Sequence, residues 1–176
     1  MGKRTSFSKV DKDFYPTIDP RAFEAIIPFV RGRTYAEPCA GNGDLVDGLA
    51  DAATCKWETD VREEVDCRTM DAMSITQDDL EGIDLIITNP PFTKSVLLPM
   101  IDHFMSLKPT WLLLPWDLPC NKYFRLYAEG CNKIVPIGRL CWFKKDGKFV
   151  RGYENFAWYY WPKGGTRSGT EIEYHD

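Results

Sequence analysis

The stretch Asp84-Leu85-Ile86-Ile87-Thr88-Asn89-Pro90-Pro91-Phe92 decides how this chain is read. Its apolar run suits a strand buried on both faces of a parallel sheet. It stops where two prolines fix the backbone and withdraw two N–H donors. Downstream, Val96, Leu97, Met100, Ile101, Phe104, Met105 and Leu107 keep a helical period, and Trp111 to Leu114 is the next buried strand. Upstream, Asp19-Pro20 has the cap and first-turn residues of a helix running from Arg21 to Val30. Thr34 to Ala36 then forms a short strand entering Glu37-Pro38-Cys39-Ala40-Gly41-Asn42-Gly43, and Asp44 to Asp51 is helical. Further strands fit Thr54 to Thr59, Arg68 to Met70, Ile134 to Ile137, Leu140 to Phe143 and Asn155 to Trp161. The last two form a hairpin closed by Lys145-Asp146-Gly147-Lys148. Alternating strands and helices predict an α/β fold with a mostly parallel sheet and a ligand crevice at the strands' carboxyl ends.

The 176 residues suit one domain, with a core over residues 11–161 and a C-terminal tail over 162–176. No apolar run reaches the length of a membrane span and the N-terminus has no signal-like apolar region, so a cytoplasmic protein without membrane partners is expected. The six cysteines contain no C-x-x-C pair and the two histidines are not spaced with them as zinc ligands, which predicts reduced, mostly buried thiols and no metal. A net charge of -4 argues against a protein that coats nucleic acid by charge alone. Its distribution is uneven: Asp60 to Asp84 has nine acids against two arginines, whereas Arg139 to Arg167 has seven cations against two acids. Lys144, Lys145, Lys148 and Arg151 are therefore candidate phosphate contacts, or else a charged edge that discourages sheet-to-sheet pairing. The aromatic residues crowded between Trp142 and Trp161 read mostly as core.

Glycines in Glu37 to Gly43 remove side chains where a backbone turns sharply and approaches a ligand. A dinucleotide loop would show a third glycine, but Val46 stands there. An acid ending the next strand can accept both hydroxyls of a ribose, and Asp60 and Glu58 both qualify. The Asn89 side-chain carbonyl and the Pro90 main-chain carbonyl can accept both hydrogens of one amino group. Such a grip frees the nitrogen lone pair for attack, and Phe92 offers a surface to the ring that bears the amine. A base held this way is flipped from its helix or single-stranded.

On these residues the chain resembles the S-adenosylmethionine-dependent N6-adenine DNA methyltransferases of the Asn-Pro-Pro-Phe type, in compact phage-like form. The resemblance implies a Rossmann-like class I methyltransferase fold with a seven-stranded, mostly parallel sheet and a C-terminal β-hairpin. It implies a catalytic motif of Asn89, Pro90, Pro91 and Phe92, and S-adenosyl-L-methionine as cofactor. Phe14-Tyr15-Pro16-Thr17 resembles the N-terminal cofactor motif, with Tyr15 among its cofactor-binding residues and Thr17 near the methionine carboxylate. Glu37, Pro38, Cys39, Ala40, Gly41 and Gly43 resemble the first cofactor loop. Asp60 resembles the ribose acid, and Asp71 with Ala72 the adenine contact. Nucleic acid, DNA ahead of RNA, is the implied partner, in the cytoplasm of a bacterium or a phage-infected host. No stretch is long enough for a target-recognition domain, so a protein partner is expected to supply recognition. An RNA adenine, a protein glutamine amide, or an idle binding protein of the same fold remain the alternatives.

Overall fold

Asp19 starts the first helix by accepting from the Arg21 amide, with Pro20 in the first turn. In the computed structural model, which describes residues 15–165 and 169–174, this helix (α1, Pro20–Glu24) ends early. Pro28 has no N–H for the Glu24 carbonyl, four residues back, so the single helix expected to Val30 breaks. A second short helix follows (α2, Ile27–Val30).

The chain then alternates as expected. Strand β1 (Thr34–Glu37) leads to α3 (Asp44–Leu49), and β2 (Thr54–Asp60) to the two-residue β3 (Arg68–Thr69). Next come β4 (Leu85–Thr88), α4 (Lys94–Leu107), β5 (Thr110–Pro115) and α5 (Arg125–Ala128). The two separate strands expected at 134–137 and 140–143 are one long strand, β6 (Lys133–Lys145), irregular around Gly138 at φ 94°. It turns back through Asp146 and Gly147, both at positive φ, into β7 (Lys148–Trp161). Two left-handed residues match the twist of a tight hairpin, as the Asp-Gly pair predicts.

The sheet order is β3-β2-β1-β4-β5-β7-β6, and a short β8 (Glu171–Ile172) joins β6, making eight strands where seven were expected. Pairings from β3 through β5 are parallel, while β5 with β7 and β7 with β6 are antiparallel. The order reverses between β1 and β4, which opens a crevice at their carboxyl ends. Alternate residues on the central strands feed two cores. Leu85 and Ile87, Trp111 and Leu113, and Trp158 face α1 and α3, whereas Ile86, Leu112, Leu114, Ala157 and Tyr159 face α4. Each strand is thus buried on both sides, which is why the apolar runs are continuous.

Gly48 of α3 lies against the Phe23 ring of α1, and a Cβ there would stand 2.2 Å from Cδ1. Gly48→Ala is therefore expected to destabilise the protein by about 1–3 kcal/mol despite alanine's better helix propensity. Chemical denaturation showing equal or greater stability would contradict this close packing.

Candidate functional site

The turn after β1 and the turn after β4 meet across the crevice because their strands are neighbours at the point where the order reverses. Between them lies a cavity of about 300 Å³. Tyr15, Thr17, Pro38, Cys39, Ala40, Gly41, Asp60, Asp71, Ala72, Asn89 and Pro91 all line it, so residues from five separate stretches of sequence converge on one space. Val61, Arg62, Val96 and Met100 also line it, and the sequence reading does not single these out. Glu37 and Gly43 stand behind the lining: Glu37 is buried at the end of β1, and Gly43 caps α3 at φ 82°.

Asn89 follows the last residue of β4. Its Nδ2 donates to the Tyr15 carbonyl at 2.8 Å and to Thr17 Oγ1 at 3.1 Å. A main-chain carbonyl only accepts, so the amide orientation is set. Asn89 Oδ1 is left buried, with no hydrogen-bond partner among the described residues. Such an acceptor costs about 1–3 kcal/mol, and an N–H donor from a ligand removes that cost.

Asp60, the last residue of β2, accepts from the Gly41 amide at 2.9 Å and from the Arg62 amide and Nε, each at 3.0 Å. Burial opposes its charge, but the Arg62 guanidinium and the amide donors outweigh it and hold the carboxyl below the usual range. An ionised acceptor thus fixes the glycine turn, and any ligand hydroxyl reaching Asp60 would share it with Arg62. Asp71 caps a 3₁₀ turn, with one oxygen on the Met73 amide at 2.9 Å. Burial pushes the Cys39 thiol up to about 12, so it stays neutral beside the cavity.

Glu37 is also held well above the ordinary range, first by burial and then by Glu58, its register partner on β2, with Asp44 and Asp60 adding to the effect. The fold favours its protonated form, while the unfolded chain loses this proton near the ordinary value of 4.5. The associated stability is complete below that value and is lost as pH rises through the raised one. Glu37→Gln cannot ionise, so its melting temperature should exceed wild type by roughly 2–4 °C at pH 8, for about 1 kcal/mol, and by less at pH 5. A difference independent of pH would show that Glu37 does not titrate this way.

Phe92 does not line the cavity. It is half-buried in an aromatic cluster, with ring centroids 5.1 Å from Tyr15, 5.5 Å from Phe156 and 6.4 Å from Trp142. Pro90 is buried beside it. The aromatic segment is core at Trp142, Phe156, Trp158, Tyr159 and Trp161, but Phe143, Phe149 and Tyr153 are exposed. Lys144, Lys145, Lys148 and Arg151 are exposed on the hairpin of β6 and β7, outside the cavity. Of the cysteines, Cys131 and Cys141 are buried, Cys39, Cys55 and Cys67 half-buried and Cys120 exposed, so fewer are buried than expected. No helix among the described residues is long and apolar enough to cross a membrane.

A parallel sheet with this order, helices on both faces and an antiparallel end defines the Rossmann-like class I methyltransferase fold. Solved structures share it at low sequence identity. A candidate RNA methyltransferase from Pyrococcus horikoshii matches with a TM-score of 0.56 at 13% identity, over 82% of either chain. A type I restriction-modification methyltransferase subunit from Streptococcus thermophilus matches with 0.57 at 11% identity, over 95% of this chain and 48% of that one, so this chain spans about half its length. A precorrin-6y C5,15-methyltransferase from Geobacter metallireducens matches with 0.54 at 10% identity, over 89% and 94%. Substrates that diverse mean that the likeness carries the fold and not the target. No protein-family model matches the chain, and no curated protein does.

Proposed function

We propose that this chain transfers a methyl group from S-adenosyl-L-methionine to an exocyclic amino group, the N6 of adenine in nucleic acid, DNA ahead of RNA. The observation that carries the proposal is the Asn89 amide, tethered through its nitrogen and left with a buried, unpartnered oxygen at a carboxyl-end cavity. Small residues at Ala40, Gly41 and Ala72 let a ligand approach the backbone, and the cavity places acids at Asp60 and Asp71. These features fit the cofactor: Asp60 would take its ribose, Asp71 its adenine amine, and Tyr15 and Thr17 its methionine end, with Glu37 buried behind the lining.

When bound, the cofactor supplies an electrophilic methyl group on a sulfonium. Asn89 Oδ1 and the Pro90 carbonyl accept the two hydrogens of the target amine and turn its lone pair toward the cavity. Phe92 and the partly exposed Tyr15 present ring surface to the base. Catalysis then rests on positioning and on dipoles fixed before the reaction. A protein partner would supply target recognition, in keeping with a structural neighbour that is itself a subunit of a type I restriction-modification system. The first check is calorimetric titration with S-adenosylhomocysteine. Saturable one-to-one binding that weakens at least 10-fold in Asp60→Ala is expected, and no binding by the wild type would overturn the proposal.

A further inference from the structure

The ladder between β5 and β7 ends at Pro115 opposite Phe156, yet β6 and β7 continue past it as a two-stranded hairpin. Strand β6 is antiparallel to β7, which is antiparallel to β5, so β6 runs with the parallel strands. Its free end therefore projects from the same end of the sheet as the cavity, by roughly 20–25 Å for residues 139–145 of β6 and 148–155 of β7. The base of this projection is tied to the site: Trp142 lies 5.5 Å from Tyr15 and 4.8 Å from Phe156 between ring centroids. Two further contacts hold the base, since Arg21 donates to the Arg139 carbonyl at 2.6 Å and Asp19 accepts from the Cys141 amide at 2.9 Å.

Toward the tip the exposed residues have an unusual composition. Phe149, Arg151 and Tyr153 are exposed and alternate with the half-buried Val150 and Gly152; Phe149 and Arg151 share a face of the regular ladder, and Tyr153 follows them where its register shifts. Lys144 joins them, opposite Phe149 in the ladder with its ammonium 4.6 Å from the ring centroid. Tyr153 is 76% exposed and Phe149 46%. A solvated charged edge has no use for such rings. Residues 139–155 hold five cations, Arg139, Lys144, Lys145, Lys148 and Arg151, against Asp146 and Glu154, a local +3 in a chain of net -4. Exposed rings interleaved with cations suit unpaired bases, whose flat faces stack while the phosphates meet the charges.

We propose that the Phe149, Arg151 and Tyr153 stretch of the hairpin, with Lys144, is a docking platform for single-stranded or locally unpaired nucleic acid, delivered toward the adjacent cavity. The proposal deepens the functional reading above and rests on it for the delivery step. The docking step stands alone.

The test is fluorescence-anisotropy binding of labelled oligo(dT), oligo(U) and a mixed-sequence duplex of equal length to the full chain, without cofactor. The wild type is expected to bind a single strand more tightly than the duplex, and the preferred strand tells DNA from RNA. The Phe149→Ala, Tyr153→Ala double variant should bind the single strand roughly 5- to 100-fold more weakly with an unchanged salt slope. Lys144→Ala, Arg151→Ala should instead lower the log-log salt slope by about 1.4, for two phosphate contacts. Phe149→Tyr, Tyr153→Phe keeps both rings and should bind as wild type, which separates stacking from fold disruption. Duplex preference, or single-strand affinity indifferent to loss of both rings, would overturn the platform. So would a wild type that binds no nucleic acid, and it would leave the hairpin to a protein partner. S-adenosylhomocysteine titrations on the same variants keep the two readings apart: failure there counts against the cofactor site, whereas failure on the oligonucleotides counts against the hairpin.

Discussion

Asn89→Ala is expected to lower methyl transfer by about 10²–10³, the usual effect of removing one preorganised polar partner of a reacting group, while affinity for S-adenosylhomocysteine changes only a few-fold. On the proposed reading the change falls on kcat, because the buried Oδ1, without a partner among the described residues, would accept from the amine under attack. Asn89 also holds the segment of Tyr15 and Thr17 through Nδ2, so its loss loosens the cavity wall. Thr17→Val separates the two effects by removing one tether at nearly constant shape. It should cost less than 10-fold, and mostly in the KM for cofactor. Equal losses in both variants would assign Asn89 to architecture and not to the amine.

Asp19→Ala should be the most destabilising single change outside the cavity, at about 2–4 kcal/mol. Asp19 has one buried carboxylate and four tasks: it caps α1 at the Arg21 amide, pairs with Arg21 Nε at 3.0 Å and Nη2 at 2.6 Å, and accepts from the Cys141 amide. Removing it strands a buried N–H on β6 and frees the hairpin base, though Arg21 is partly exposed and can turn to water, which limits the cost. Although burial opposes the charge, Arg21 and the two amide donors keep the carboxyl below its ordinary value of 3.8. Its contribution is therefore full above that value and is lost as pH falls through the lowered one. Urea denaturation at pH 7 measures the loss, and a change below about 0.5 kcal/mol, as for an ordinary surface position, would contradict the role.

How much of this is visible in the chain follows from how local each feature is. Strands β4 and β5 stand out because burial on both faces demands unbroken apolar runs, and the tight hairpin because Asp146-Gly147 supplies two left-handed residues. The break in the first helix is equally local, since Pro28 cannot bond back to Glu24, but the apolar spacing of Ile26, Ile27 and Val30 argues for continuation. Arg62 is only two residues from the acid it clamps, yet spacing alone does not tell a clamp from two solvated charges. The tie from Asn89 to Tyr15 and Thr17 spans more than 70 residues, and no local pattern announces it. Strand β8 is likewise decided by β6, which it joins, more than by its own two residues. The exposure of Phe149 and Tyr153 depends on where the sheet ends and the hairpin runs on alone, which residue type does not report.

The central claim is chemical, and one measurement meets it directly: transfer of labelled methyl from S-adenosylmethionine to mixed DNA and RNA, wild type beside Asn89→Ala, followed by nucleoside analysis. Label in N6-methyladenine with the wild type, at least 100-fold reduced in the variant, is the predicted result. Label elsewhere, or label that survives the loss of Asn89, would contradict the account.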